Sequence, residues 1–189
     1  MSFAKLIIPI GFVIISPQPT KGSQMSTTDQ LVAANASYAE SFADGDLPLP
    51  PARKVAILAC MDARLDPAAV LGLSNGDAHV IRNAGGVVTE DAIRSLVISQ
   101  RLLGTREIVL LHHTDCGMVT FSDDAVKQQI TDDVGIRPSF AFEAFPDVHE
   151  DIRQSIARLT ASPFLIDNQQ IRGFVYSVEH GTIEEVHPN

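Results

Sequence analysis

The sequence predicts an α/β fold, namely a single domain with a mainly parallel β-sheet flanked by helices and an edge strand after the last turn. Three observations support this prediction. Short, continuous apolar segments recur along the chain, and such segments are typical of strands buried on both faces. Segments with helical spacing of apolar residues lie between them, an alternation that is typical of parallel sheets. The length of 189 residues suits one domain with a substantial core.

The N-terminal half is predicted to hold two helices and two strands. Either of two threonines can cap the first helix, because a threonine hydroxyl accepts a hydrogen bond from the first turn. Glycine and three prolines then interrupt the chain. A later Asp-Pro pair begins a short helix, since proline suits a first helical turn. The predicted elements are a helix from Thr27 or Thr28 to about Phe42, a buried strand over 54–60, a short helix from Asp66-Pro67, and a strand over 78–86 that stops at two glycines.

The C-terminal half continues the alternation. A threonine caps a helix whose apolar residues recur at helical spacing and which a glycine closes. The segment REIVLLHH is a third buried strand, and two further helices follow it. The predicted elements are a helix from Glu90 to Leu103 between Thr89 and Gly104, a strand over 106–113, helices over 122–135 and 146–162, and a strand, a turn near Gly181 and an edge strand within 170–186.

Charge and hydropathy exclude some functions. The formal net charge of -9 repels phosphate backbones, so we expect no nucleic-acid partner. The apolar run from Leu6 to Ile15 is too short to span a bilayer, so we expect no membrane span. It has the length of a signal-peptide core, but no small-residue cleavage site follows it, and a targeting role stays open. We expect residues 1–24 to form an extension outside the fold and residues 25–189, which begin at Met25, to form the domain.

Three potential metal ligands lie at the ends of two predicted strands. Cys60 ends one strand, and His113 and Cys116 follow another; sites in such sheets lie at the carboxyl ends of strands. A Cys₂His set holds three positions of a tetrahedral zinc ion and leaves the fourth open, as in catalytic zinc sites. Buried cysteines also occur as small apolar residues, and two cysteines can form a disulfide. Metal binding in a reducing, cytoplasmic compartment fits the spacing better.

Asp62 and Arg64 follow Cys60 at alternating positions. If this segment is extended, all three side chains project to one side. A guanidinium can hold a carboxylate through two charge-assisted hydrogen bonds, and a carboxylate held in this way stays ionised and accepts a further hydrogen bond. The alternative interpretation is an ordinary ion pair at the end of a strand.

Three segments now indicate a family. ACMDARLDP, HVIRNAGG and HHTDCGM resemble the signature segments of the β-class carbonic anhydrases, in particular the short bacterial and fungal branch that also includes carbonyl sulfide hydrolases. The resemblance extends from about Asp29 to Val186. It implies a zinc lyase that hydrates carbon dioxide reversibly to bicarbonate by zinc-bound hydroxide. Because two thiolates donate more charge than neutral imidazoles, we expect the activity to rise toward alkaline pH.

The resemblance also assigns roles to residues. It implies Zn²⁺ ligands at Cys60, His113 and Cys116, and a catalytic pair of Asp62 and Arg64. It implies a homodimer or homotetramer in which the first helix packs on the partner subunit. It further implies that substrate is bound by the loop residues Asn83, Ala84, Gly85 and Gly86.

Other functions stay open at this point. The same zinc site could hydrolyse carbonyl sulfide to carbon dioxide and hydrogen sulfide, because the attacked carbon is equivalent. The thiolates could instead serve a metal-binding or redox-sensing module without turnover, although such a module has no need of the Asp62 and Arg64 pair. A nucleotide site is a weaker alternative, because NAGGVV lacks the required glycine spacing. We expect His112 to face away from His113 and to be structural.

Overall fold

The computed structural model describes residues 25–188, so the predicted extension over residues 1–24 lies outside the described residues. Contacts divide the chain into two units after Gly45, and the described part of the first unit, residues 25–45, contains one helix, α1 (Thr27–Glu40). Ser26 caps α1, so the prediction of Thr27 or Thr28 is wrong. The Ser26 hydroxyl accepts a hydrogen bond from the Asp29 amide at 3.1 Å, and the Asp29 carboxylate accepts one from the Ser26 amide at 3.1 Å. This reciprocal pair determines where the helix begins.

The second unit, from Asp46 onward, contains a five-stranded sheet with the strand order β2-β1-β3-β4-β5. The first four strands run parallel and β5 runs antiparallel to β4, which confirms the predicted fold class with its edge strand. The elements are β1 (Val55–Cys60), α2 (Pro67–Leu71), β2 (Ala78–Asn83), α3 (Glu90–Arg101), β3 (Glu107–His113), α4 (Asp123–Val134), α5 (Val148–Thr160), β4 (Ile171–Tyr176) and β5 (Ile183–Val186).

The register aligns the carboxyl ends of the central strands. Leu58 of β1 lies opposite Ile81 of β2 and Leu110 of β3. At the end of β1, Cys60 lies opposite Asn83, the last residue of β2. Since neighbouring parallel strands end at the same edge, side chains from β1, β2 and β3 converge there.

The central strands β1 and β3 are buried on both faces of the sheet, as their continuous apolar runs predict. Along β1, Leu58 packs on one face with α3 and α5, and Ile57 packs on the other face. On β4, a Cβ atom at Gly173 would collide with Ile152 of α5, so the glycine permits close packing of helix on strand. The sheet is therefore a rigid support for the loops at its carboxyl edge.

The helix boundaries agree with the predictions within a few residues. Thr89 and Ser122 cap α3 and α4 as predicted. Helix α3 ends at Arg101, two residues before the predicted end, because the chain leaves the helix through a turn in which the Gly104 amide donates to the Gln100 carbonyl. Within residues 25–188, no helix is both long and apolar enough to cross a bilayer.

Candidate metal centre

Three potential metal ligands converge at the carboxyl edge of the sheet. Cys60 is the last residue of β1, His113 is the last residue of β3, and Cys116 directly follows the two-residue turn that β3 enters. The two sulfur atoms and a ring nitrogen lie within 4.8 Å of one another, and all three side chains are buried. The pairing of β1 with β3 therefore assembles the set that the sequence predicts.

A tight turn brings Cys116 back toward the strand ends. The Thr114 amide donates to the Tyr176 carbonyl of β4 at 2.8 Å, which extends the pairing by one residue. Asp115 then adopts a φ of 55°, a left-handed conformation that aspartate tolerates better than most residues. The reversal directs the Cys116 side chain inward, beside Cys60.

The ring of His113 is oriented for metal binding. Its Nδ1 atom donates to the Thr114 carbonyl at 2.9 Å, which leaves Nε2 as the free coordinating atom. Within the described chain, Nε2 is buried and has no hydrogen-bond partner. A buried nitrogen without a partner is costly unless a ligand satisfies it. The donor set thus fits a zinc ion, since thiolates and imidazole are its usual protein ligands.

The two thiols have opposite proton affinities. A hydrogen bond from Cys116 lowers the pKa of Cys60 to about 4, with a smaller contribution from His113. The same contact with Cys60, together with burial, raises the pKa of Cys116. The metal-free pair therefore holds one proton between the sulfur atoms near neutral pH, and a metal ion would displace that proton.

Asp62 and Arg64 form a close pair beside these ligands. Arg64 Nε donates to Asp62 Oδ1 at 3.0 Å, and Nη2 donates to Oδ2 at 2.8 Å. The segment from Cys60 to Arg64 is not extended: β1 ends at Cys60, and a turn follows in which the Leu65 amide donates to the Asp62 carbonyl. The turn lets the Arg64 amide also donate to Asp62 Oδ1, at 2.8 Å. These contacts from Arg64 hold the pKa of Asp62 well below its usual range.

Two residues that had no individual role in the predictions from sequence contact this turn. Arg82 of β2 donates to the carbonyls of Cys60, Asp62 and Leu65 at 3.0, 2.8 and 2.7 Å, so one guanidinium holds the turn at three points. Asp115 accepts a hydrogen bond from Arg64 Nη1 at 2.8 Å. Arg82 lies in the segment HVIRNAGG and Asp115 in HHTDCGM, and this position within the family-like segments is the sequence feature that could have identified them.

A cavity of about 350 Å³ opens beside the ligands. Cys60, Asp62, His113 and Cys116 line it together with apolar side chains. Met118 also lines the cavity, and its Cγ lies 3.1 Å from the place that a Cβ of Gly85 would take. The remaining apolar lining residues include Met61, Ala84 and Phe121.

The four loop residues predicted to bind substrate have different positions. Ala84 and Gly85 line the cavity. Asn83 instead stabilises the loop, since its Nδ2 donates to the Val87 carbonyl at 2.8 Å. Gly86 packs on β1, where a Cβ would lie 2.8 Å from the Cys60 amide nitrogen, so the loop approaches the strand closely only as glycine.

His112 points to the opposite face from His113, as predicted. Its Nε2 lies 2.7 Å from Asp151 Oδ2 of α5, and the ring is buried beside Phe145. This contact ties β3 to α5 on the side of the sheet away from the ligands.

The buried Cys₂His set, which lies beside a cavity at the carboxyl edge of the sheet, is the kind of site found in metal-binding α/β proteins. The model of the carbonic anhydrase family matches residues 55–183, and the chain belongs to the β-carbonic anhydrase family. It is 57% identical over 164 residues to β-carbonic anhydrase 1 of Mycobacterium tuberculosis, a match that covers 87% of this chain and 100% of the relative.

Two further comparisons define the range of the family. The crystal structure of a carbonic anhydrase from Streptococcus mutans superimposes with a TM-score of 0.82 at 45% identity, over 87% of this chain and 100% of that one. A carbon disulfide hydrolase of Saccharolobus solfataricus is 34% identical over 164 residues, covering 74% of this chain and 80% of the relative. Proteins of this family use zinc, and the Cys-His-Cys set here is positioned to bind a metal.

Proposed function

We propose that this protein catalyses the reversible hydration of carbon dioxide to bicarbonate, with zinc held by Cys60, His113 and Cys116. The observation that carries the proposal is the buried Cys₂His set, whose free ring nitrogen and sulfur atoms lie within 4.8 Å of one another at a cavity. When bound, zinc supplies a Lewis acid that lowers the pKa of a coordinated water to about 7 in favourable sites.

In this proposal, Asp62 orients the water molecule that attacks the substrate, and Arg64 holds Asp62 in place. Asp62 is ionised and can only accept hydrogen bonds, so it accepts one from a water molecule in the cavity and turns an oxygen lone pair toward the substrate carbon. Its Oδ2 lies 3.7 Å from His113 Nε2, so the carboxylate and the imidazole border the same part of the cavity. Arg64 holds the carboxylate through two hydrogen bonds.

The cavity walls favour the binding of a small, apolar substrate. Ala84 and Gly85 provide the wall formed by the predicted substrate loop, while Met61, Met118 and Phe121 provide apolar surface. Apolar walls favour an uncharged linear molecule and leave few polar groups to compete with Asp62 for water.

Stopped-flow measurement of carbon dioxide hydration by the zinc-loaded protein tests the proposal. We expect a kcat/KM of roughly 10⁴ M⁻¹ s⁻¹ or more, which disappears when a chelator removes zinc and returns when zinc is added. A zinc-loaded protein with no hydration activity would contradict the proposal and favour a metal-binding or sensing module.

Hydrolysis of a sulfur analogue is the second candidate function. The 34% identity to a carbon disulfide hydrolase and the apolar cavity favour it. Carbon disulfide and carbonyl sulfide are linear like carbon dioxide, and water would convert carbonyl sulfide to carbon dioxide and hydrogen sulfide. Assays of all three substrates on one preparation, with hydrogen sulfide detection, separate the functions. A rate on either sulfur compound far above the carbon dioxide rate would reverse the assignment.

We also propose that the protein is a homodimer, or a homotetramer built from dimers, in which α1 packs on a second copy. No residue of α1, all of which is described, is buried, and Leu31 and Val32 are 67% and 68% exposed. An isolated helix of this length is marginal in water, so a partner surface would stabilise it. Sedimentation of the Leu31→Glu/Val32→Glu double variant should give a monomer, and an unchanged dimer would contradict the role of α1.

Residues 1–24 are proposed to lie outside the catalytic domain over 25–189, in a cytoplasmic protein. The match that covers all of the Mycobacterium tuberculosis relative spans only 87% of this chain, and both cysteines are unpaired, as is usual for proteins of a reducing compartment. A variant that begins at Met25 should keep its zinc content and activity. Loss of either would assign the extension a part in the site.

A further inference from the structure

Arg64 contacts two carboxylates, through two different edges of its guanidinium. The Nε and Nη2 edge donates to Asp62, and Nη1 donates to Asp115 Oδ2 at 2.8 Å. Nη2 also donates to the Asp115 carbonyl at 3.0 Å. We infer that Asp115 is a positioning residue that holds Arg64 and thereby fixes the direction of the Asp62 carboxylate. This inference rests on the proposed function.

The pair of Asp62 and Arg64 needs such a support. The Arg64 side chain is 48% exposed and extends from a turn, and ion pairs at this exposure are weak and easily rearranged. A planar guanidinium held along one edge can still swing together with its partner. Contacts on a second edge restrict that motion, because the fork of donors has a fixed geometry.

Asp115 is built into the ligand segment, which makes it a suitable anchor. It lies between His113 and Cys116 in the turn where its own φ is 55°. Its carbonyl and its carboxylate both face Arg64, so backbone and side chain act on the same guanidinium. Asp115 therefore links the pair of Asp62 and Arg64 to the ligand segment, because it contacts Arg64 and directly precedes Cys116 in the chain.

A purely structural role for Asp115 is a poor explanation. Its side chain is 78% exposed, and an exposed carboxylate adds little to the free energy of unfolding. Asp124 offers a matched comparison, since it is also exposed and also contacts an arginine at 2.8 Å, but that arginine is Arg137 and not Arg64.

The first test compares Asp115→Asn with Asp124→Asn in the zinc-loaded protein. Asparagine keeps the size of aspartate and tolerates the left-handed conformation, so only the charge is lost. For Asp115→Asn we expect unchanged zinc content, melting temperature and KM, with kcat lower by about two- to fivefold, the upper range for loss of an exposed ion pair. Asp124→Asn should match the parent protein in all four measurements.

A second measurement observes Arg64 directly and does not depend on activity. Solvent exchange of the Arg64 Nε proton, measured by ¹⁵N NMR, should accelerate several-fold in Asp115→Asn and stay unchanged in Asp124→Asn. An unchanged kcat together with unchanged Arg64 exchange in Asp115→Asn would overturn the inference. Exchange that responds while the parent protein shows no hydration of carbon dioxide would retain the contact and reject the proposed function instead.

A double-mutant cycle tests whether Asp115 acts through Arg64. In an Arg64→Ala background, the added Asp115→Asn substitution should cause no further loss of kcat. A loss of the same size in both backgrounds would show that Asp115 acts on the ligand segment itself and would overturn the inference.

Discussion

The metal centre has a buried part and an exposed part that are built differently. Cys60 and His113 are buried at the ends of the paired strands β1 and β3, and Cys116 is buried just after the turn that follows β3, so the positions of all three depend on the backbone of the sheet and its turn. Asp62 and Arg64 lie in a turn with side chains 19% and 48% exposed, and side-chain hydrogen bonds determine their positions. The buried part should therefore determine whether metal binds, and the exposed part how fast the reaction proceeds.

The largest effect is expected when a candidate ligand in the buried part is removed. Cys60→Ala removes one of three ligands and should reduce bound zinc to below about a tenth of one ion per chain, with no measurable activity, because three protein ligands are the minimum for such sites. Zinc analysis and circular dichroism check this prediction. The chelated and reloaded parent protein is the control, and stoichiometric zinc in a folded Cys60→Ala variant would contradict it.

The next largest effect separates metal binding, which depends on the buried part, from the reaction rate, which depends on the exposed part. Asp62→Asn keeps the shape of the side chain but can present an amide hydrogen where the carboxylate accepts one. We expect full zinc content and a kcat lower by about 10²-fold, the lower range for loss of a positioned acid-base group. Asp91→Asn, an exposed aspartate that contacts Arg94, is the control. A parallel loss of zinc would show that Asp62 supports the ligands and not the reaction.

The pH dependence of zinc affinity sharpens the description of the buried part. The contact between the two thiols lowers the pKa of Cys60 and raises the pKa of Cys116, so the metal-free pair retains a proton near neutral pH that a metal ion must displace. Affinity should therefore fall by about tenfold or more per unit as the pH decreases from 9 to 7, with at least one proton released per zinc.

Competition with a chelator across this range, together with calorimetry in buffers of different ionisation enthalpy, measures both quantities. A zinc affinity independent of pH would show that both thiols are already ionised in the metal-free protein.

The smallest expected effect concerns the exposed part alone. Arg64→Lys retains the positive charge but offers no fork of donors, so it cannot hold Asp62 and Asp115 together. We expect kcat to fall by about three- to tenfold at constant zinc content, less than for Asp62→Asn. Steady-state kinetics with matched zinc analysis check the order, and a larger loss than in Asp62→Asn would assign Arg64 a direct role on substrate.

The fold and the ligand set were predictable from local patterns. The apolar runs of β1 and β3 are long enough to identify buried parallel strands, and their ends place Cys60 and His113 at one edge of a sheet. Helix boundaries were less accurate, as for α1, because Ser26 and Thr27 both carry a hydroxyl that can cap. Only the reciprocal contact between Ser26 and Asp29 decides between them.

The contacts of the exposed part could not be predicted from local sequence patterns. The spacing of Asp62 and Arg64 suggested a pair on an extended strand, yet the pair forms in a turn that Arg82 holds from the neighbouring strand. The second carboxylate on Arg64, that of Asp115, comes from 51 residues further along the chain.

Local sequence patterns were enough to predict the fold class, the three candidate ligand residues and the family resemblance, because apolar periodicity and short ordered segments carry that information. Which side chains meet depends on tertiary packing. It gave His113 a free Nε2, placed Ala84 and Gly85 but not Asn83 or Gly86 on the cavity wall, and brought Asp115 to Arg64. The physical reason is that such contacts depend on strand register and turn geometry, which pair residues far apart in the chain.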